Sequence, residues 1–407
     1  MGETRLRDYW ESPRWRIIGA NGMLSASGLL TGPILARVLG PSDRGVLAYL
    51  VAATFLFSIL ATMGFEDAAT LTIAEGKVSV GQLLRRSLLL ATPVSVLSAA
   101  GAVAFLPGQF DAHRSIVAGL LFVGILFGAL SLIVEGAVTG TRHLEPIVVR
   151  RAANGAFRVV VVLALLVAGR LSIVTAFVVQ VAVVSSGVLL LPALRSVGAG
   201  SRDGARELGR LATRIIPTLF GSLVLMRVDQ LLLPHVAPVS QLGYYAVAVT
   251  VAEVPQFLSG ATRQHLLSQL TGTPASELPS PTTIFRQQMG PTVALSALLL
   301  VCSPFVIPLA FGEPFRPAVP AAVVLCLAQV FLVATNVFDA VLVSLRHVGL
   351  SARTQWIGLV VNVVAIVVLG HIGALGAALA ALIGYGAATV AGMRYVARIR
   401  GPEPASA

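Results

Sequence analysis

Residues 115–141 read SIVAGLLFVGILFGALSLIVEGAVTGT and carry a single charge, Glu135. About 20 apolar residues in a helix cross the hydrocarbon of a bilayer, so this run is long enough. In lipid, only helices and closed barrels satisfy every backbone N–H and C=O. Barrel strands alternate apolar and polar residues over short segments, and this run does not alternate. It is therefore a membrane helix. Working outward in both directions, comparable apolar segments occupy 17–38, 45–65, 87–107, 147–168, 171–194, 214–236, 242–262, 288–311, 318–345, 350–371 and 373–396. The chain reads as an all-α polytopic membrane protein with about twelve transmembrane helices. The segment 147–168 is the most polar of them, because Arg150, Arg151 and Arg158 interrupt it.

Composition agrees. Of 407 residues, 56% are hydrophobic and only 12% are charged, against about 25% charged in an ordinary soluble domain. A water-facing surface needs more charge than that, which excludes a soluble globular protein. The net charge of +11 is spread between the apolar runs instead of gathered into a patch, so no nucleic-acid partner is expected. Cys302 and Cys326 lie inside apolar runs with no His or Cys at ligand spacing, and read as small hydrophobes. No metal site and no cofactor are expected. The chain has no phosphate-binding glycine loop, no HExxH and no nucleophile elbow, so it reads as neither an enzyme nor an ATPase. The stretch Met1–Arg16 is charged, and the run after it is too long for a signal-peptide core, so a retained first span is expected.

Basic residues set the orientation. The N-terminus, the even-numbered connections and the C-terminus together hold 22 Lys and Arg, and the other side holds 5. Basic connections stay in the cytoplasm, which puts both termini there. Arg158 and Arg227 are left inside spans. The longest basic connection, Arg195–Arg214, lies between the sixth and seventh segments. A linker is expected there, joining a six-helix lobe of residues 1–200 to another of residues 201–407.

The two halves echo one another. Glu135 precedes Arg142-His143 by seven residues, and Asp339 precedes Arg346-His347 by seven. Arg16-Ile17-Ile18 echoes Arg214-Ile215-Ile216. Gly40-Pro41 followed by Gly45 echoes Pro238 followed by Gly243. Pro107-Gly108-Gln109-Phe110 echoes Gly312-Glu313-Pro314-Phe315. The matches run in the same order, and their offset spans six helices, an even number. The repeat is therefore parallel, about an axis along the membrane normal.

Several stretches also carry a family likeness: Ala36-Arg37-Val38-Leu39-Gly40-Pro41-Ser42-Asp43-Arg44-Gly45, then Val228-Asp229-Gln230-Leu231-Leu232-Leu233 with Leu242-Gly243-Tyr244-Tyr245, then Phe311-Gly312-Glu313-Pro314-Phe315, and last Asn362 with Gly373-Ala374-Leu375-Gly376-Ala377-Ala378. The sequence resembles the bacterial polysaccharide and oligosaccharide flippases of the multidrug, oligosaccharidyl-lipid and polysaccharide exporter superfamily. One departure is that many relatives carry a basic residue directly after the seventh-helix Asp, where this chain has Gln230. The resemblance implies two six-helix bundles around a central cavity in the bacterial plasma membrane, working by alternating access. It implies a polyprenyl-pyrophosphate-linked oligosaccharide as cargo, moved to the outer leaflet for cell-surface polysaccharide biosynthesis. Membrane lipids and glycan-assembly enzymes are the implied partners. The alternatives are a drug or cation antiporter of the same superfamily, a peptidoglycan-precursor flippase (those relatives usually carry two more helices), and a membrane-embedded glycan polymerase or ligase. The last would need a large outer loop, and the outer connections here are short.

The charges inside the spans are the candidate site. A charge at mid-membrane costs at least about 2.5–3.5 kcal/mol and usually faces a polar interior. Arg158 lies about 10 Å in from the cytoplasmic face at the 1.5 Å rise of a helix, Arg227 lies deeper, and Arg37 lies near the outer edge. Guanidinium groups bind phosphate through parallel donors, so these three are candidate cargo contacts; snorkelling to the nearer interface is the other reading. Asp229 is a fourth candidate cavity contact for the cargo, with structural pairing to another helix as the other reading; it lies two residues from Arg227 and points to the opposite side, so the two should have separate partners, one in each lobe. Glu135, Asp339 and Glu253 are candidates for ion coupling, since buried carboxylates can carry protons. The equivalent pair Glu135 and Asp339 reads equally as scaffold, each holding its helix to a nearby Arg, and Glu253 is placed inside the eighth helix.

Overall fold

The computed structural model describes residues 13–104, 114–141, 143–195, 197–198, 200–256, 281–345 and 347–400, and every regular element among them is helical. Arg142, Arg346, the stretch 107–110 and the end of the eighth expected span, 257–262, lie outside the described residues.

The first helix, α1 (Pro13–Thr62), covers the first expected span and all but the last three residues of the second. The outer loop expected at 39–44 is only a break at Gly40, where φ is 71° and ψ is 177°. That conformation costs glycine little and an L-residue much. Pro41 restarts the helix at once, because its fixed φ suits a first helical turn. The connection expected at 66–86 is also mostly helical. It holds α2 (Phe65–Ala74) and the start of α3 (Val80–Ala104). Phe65, Ala68, Ala69, Thr72 and Ile73 share one buried face of α2, the spacing of a short amphipathic helix.

Next come α4 (Arg114–Gly140), α5 (Glu145–Val167) and α6 (Ile173–Ser185). Ser172 caps α6 by accepting from the Thr175 N–H at 3.3 Å. The chain tightens into a 3-10 stretch over Ser186–Leu194 around Pro192. The linker expected before residue 214 is instead the beginning of α7 (Arg202–Val236). Ser201 caps it, accepting from the Gly204 N–H at 2.9 Å, and Asp203 sits in its first turn, where the helix dipole favours a negative charge.

The chain continues through α8 (Val239–Ala252), α9 (Pro281–Phe311), a 3-10 turn at Glu313–Ala318, α10 (Val319–Ser344), α11 (Val348–Leu369) and α12 (Ala374–Arg400). Among the described residues, eight helical stretches are long and apolar enough to cross a membrane, Gly19–Thr62 being one of them. The expected spans 147–168 and 214–236 fall on α5 and α7, and 242–252 falls on the shorter α8. Val167, Leu189, Phe305 and Leu309 are at least 75% exposed. Bare aliphatic and aromatic faces of this kind suit lipid and not water.

The helices form two compact units. One holds the chain up to Val38 together with Tyr49–Leu219, and the other holds Leu39–Ala48 together with the chain from Phe220 onward. The core of the first gathers Phe65, Ile133, Val134, Leu190, Leu194 and Leu208. The core of the second includes Val333, Val337, Phe338, Val341 and Val396, from α10 and α12.

Within the second unit, the restart of α1 lies against the start of α8. A Cβ on Gly243 would sit 1.9 Å from the Pro41 carbonyl oxygen, and one on Gly45 would sit 2.1 Å from the Val239 carbonyl oxygen. The two echoing glycines of the sequence repeat therefore pack on one another, and neither backbone can retreat without parting the helices. Gly243→Leu is expected to destabilise the protein by at least about 1–3 kcal/mol, the usual cost of overpacking. It should appear as a lower melting midpoint in detergent. Gly19→Ala, with nothing within 4 Å of the added Cβ, should leave the midpoint unchanged.

Candidate functional site

In the first unit the polar residues of α5 fall on one face. Arg150, Asn154 and Arg158 recur every four residues, one above another. This face meets α6 and the turn after it. Arg150 donates to the Ser186 hydroxyl at 3.1 Å, and the Asn154 amide donates to the same oxygen at 2.7 Å. Arg158 donates to the side-chain oxygen of Gln180. Its guanidinium also lies against α1, 3.3 Å from where a Cβ on Gly28 would stand.

Glu135, projecting from α4, accepts from both Arg150 and Arg151, and Arg151 also donates to Asn21. One carboxylate thus faces two guanidiniums, which ties α4 to α5 and, through Arg151, to α1. Glu66 of α2 lies near enough to feel the charges of Glu135 and Arg151. Beside this network opens a cavity of about 780 Å³, lined by His143, Glu145, Arg150, Asn154, Leu189 and Leu190 among others.

No carboxylate pairs with Arg158 among the described residues. Its one hydrogen-bond partner there is the neutral amide of Gln180. Arg150, Arg151 and Arg227 each face a carboxylate. Among the described residues, Arg158 is thus a cation with no carboxylate partner, on a helix expected to cross the membrane.

In the second unit, Arg227 of α7 forms a forked pair with Glu253, with Nη1–Oε1 at 2.9 Å and Nη2–Oε2 at 3.4 Å. Asp229, 2% exposed, accepts from the Tyr245 hydroxyl and from the Gln230 N–H, the latter at 2.7 Å. Arg227 and Asp229 therefore do have separate partners. They are not divided between lobes, however: Glu253 and Tyr245 both come from α8 or its end, which runs alongside α7. Glu253 does not lie inside a helix either. It is the C-cap of α8, where the chain turns over Glu253–Pro255, because Pro255 cannot continue the hydrogen-bonding pattern. The turn frees its carboxylate to reach back to Arg227.

Asp339 of α10 accepts from the hydroxyl of Ser351 on α11. Glu135 and Asp339, equivalent in the repeat, each bind the helix that follows, one through arginines and the other through a serine. Arg37 is exposed on α1, three residues before the break at Gly40. Sequence reading had not singled out Glu66, Asn154 or Gln180, and it quoted Tyr245 only within the family-like stretch Leu242–Tyr245, without a role. Asn154 carried a signal in its spacing from Arg150 and Arg158, and Glu66 and Gln180 carried none. Among the described residues, no group of three His, Cys, Asp or Glu is placed to hold a metal ion.

The family described as "Polysaccharide biosynthesis protein" matches residues 17–262. No curated protein matches the chain. Among solved structures, the chain is similar to the lipid II flippase MurJ in an inward closed conformation, with a TM-score of 0.74, 12% identity, and coverage of 93% of this chain and 86% of that one. It is also similar to a multidrug resistance transporter of the MATE family and MOP superfamily in an inward-facing conformation, with a TM-score of 0.67, 14% identity, and coverage of 92% and 94%. At these identities the likeness is one of fold.

Proposed function

The chain belongs to the polysaccharide biosynthesis protein family, and from that premise we propose that it is a membrane transporter, not an enzyme, that moves a lipid-linked oligosaccharide from the inner to the outer leaflet. The observation that carries this reading is Arg158. A structural arginine in lipid is ordinarily neutralised, as Arg150 and Arg151 are by Glu135, whereas among the described residues Arg158 meets only the Gln180 amide. A pyrophosphate would supply the missing negative charge and would accept two parallel hydrogen bonds from one guanidinium.

Arg227 is the second cargo contact. Glu253 occupies its fork at 2.9 Å, and the cargo's phosphate competes with that carboxylate for the same donors. Displacing or protonating Glu253 is then the step at which an ion gradient acts. Asp229, fixed by Tyr245, holds α7 in register so that Arg227 meets its partner. Glu135 and Asp339 tie successive helices together, and Arg37 lines the outer end of the path. The partners are a polyprenyl-linked glycan, the surrounding lipids and the enzymes that assemble the glycan. The split of basic residues, 22 against 5, supports a place in the bacterial plasma membrane with both termini in the cytoplasm.

Fold likeness to a multidrug transporter favours a cation antiporter as the second reading, although cation cargo wants carboxylates where this chain offers Arg158. Reconstitution in vesicles separates the two. A fluorescent polyprenyl-pyrophosphate glycan should change leaflets in the presence of the protein, and a quaternary ammonium dye should not accumulate. Dye transport without movement of the glycolipid would reverse the order.

A further inference from the structure

A second cationic site, which the cargo reading does not use, lies where α3 meets the first turns of α7. The two helices are bound firmly there. The Ser201 N–H donates to the Lys77 carbonyl at 3.0 Å, Lys77 pairs with Glu207 at 3.0 Å, and the Gln82 amide donates to the Ser201 carbonyl at 3.3 Å. Arg86 donates to the Ala205 carbonyl. Above this seam opens a pocket of about 450 Å³ lined by Gln82, Arg85, Arg86, Leu89, Ala205 and Arg206. Among the described residues, three guanidiniums line it and no carboxylate does. Asp203 reaches Arg206 only at 3.9 Å, and both side chains are more than three-quarters exposed, so the pair hardly neutralises it.

The pocket is also the head of an apolar stripe. Leu89, one of its walls, is 64% exposed, and Val96 and Leu97 follow on the same face of α3 at 47% and 73%. Leu89 to Leu97 spans about 12 Å at the rise of a helix. A cationic pocket continuous with an exposed aliphatic stripe fits an amphiphile with an anionic head. We propose that this pocket binds the phosphodiester of an anionic phospholipid from the adjoining leaflet, with the head on Arg85, Arg86 and Arg206 and an acyl chain along the α3 stripe. The bound lipid bridges α3 and α7, so it reinforces the seam at the start of the helix that leads into the second unit. This inference stands apart from the identity of the cargo.

The test uses the purified full chain and native mass spectrometry after graded delipidation, with phosphatidylglycerol and phosphatidylcholine supplied in equal amounts. Phosphatidylglycerol should be retained in preference, and retention should fall with added salt. Arg85→Gln and Arg206→Gln, both at exposed side chains, should each weaken retention about fivefold, and together roughly 25-fold. Arg86 is left intact because it holds the seam. Arg85→Lys with Arg206→Lys should keep most of the binding. Equal retention of the two lipids by the unaltered protein, or undiminished phosphatidylglycerol in the double Gln variant, overturns the proposal. Displacement of the lipid by soluble glycerophosphate at low millimolar concentration overturns the lipid assignment too, because it would make the site one for free phosphate.

Discussion

Arg158→Ala is expected to cut glycan export by roughly ten- to a hundredfold at unchanged protein level, the cost of one charge-assisted contact, about 1.5–3 kcal/mol. The size follows from what the side chain lacks. Gln180 can accept one hydrogen bond from Arg158 but cannot neutralise it, and Gly28 leaves room for the guanidinium beside α1. Removing the cation should therefore leave the fold intact, since no buried carboxylate is orphaned. Arg158→Lys should rescue in part, because the charge stays and the fork is lost. Arg150→Ala is the contrasting case: it strips one of the two partners of Glu135 and should lower protein yield along with export. Export measured in cells and normalised to membrane protein decides the matter. Full export by Arg158→Ala would show that the arginine only snorkels.

Glu253→Ala should produce the second large effect, a loss of about 3 kcal/mol in stability. That is the low end of the range for breaking a buried pair, since Arg227 and Glu253 remain 22% and 24% exposed. The loss comes mostly from taking away the carboxylate that the Arg227 fork faces. Arg227→Leu combined with Glu253→Leu should accordingly regain much of the melting midpoint, a non-additivity that a double-mutant cycle measures. If Arg227 meets the cargo, the stable double variant still fails to export. Recovery of both stability and export would reduce the pair to scaffold and remove Arg227 from the transport path.

The apolar runs were legible because lipid leaves the backbone so few options. Residues 115–141 could only be a helix, and α4 covers them to within a residue at each end. The stretches read as connections were legible only in part. α2 is short, and Glu66 and Asp67 open it, while the first turns of α7 carry alternating charges, Arg202, Asp203, Arg206, Glu207 and Arg210. Such segments look like solvated loops until a cap such as Ser201 is recognised. The end of α8 was written in Pro255 and overlooked.

The places of Arg158 and Arg227 along α5 and α7 could be read by counting residues. Their partners could not. The spacing of Arg150, Asn154 and Arg158 put them on one face of α5, but the neighbouring helices are apolar nearly all round and have no face that fixes their rotation, so nothing in the sequence said whether Arg158 would meet Gln180 or a carboxylate. Arg227 found Glu253 only because α8 ends where it does. The echoing glycines announced a repeat, and their reason, mutual contact of Gly45 and Gly243, became visible only in three dimensions.

The two units do not follow the order of the chain. Leu39–Ala48 packs with the second unit although the chain on either side of it builds the first, and the first turns of α7 pack with the first unit although the rest of that helix builds the second. Each half has lent the other a strip of itself. The lobes are consequently not interchangeable modules: a piece severed near residue 200 would leave behind a strip that its own packing needs and would carry off one that it does not. Chimaeras that swap whole lobes between relatives must exchange these strips as well. Joining the halves in one chain keeps both loans at a high effective concentration, and the covalent link thereby acts as a clasp as well as a tether.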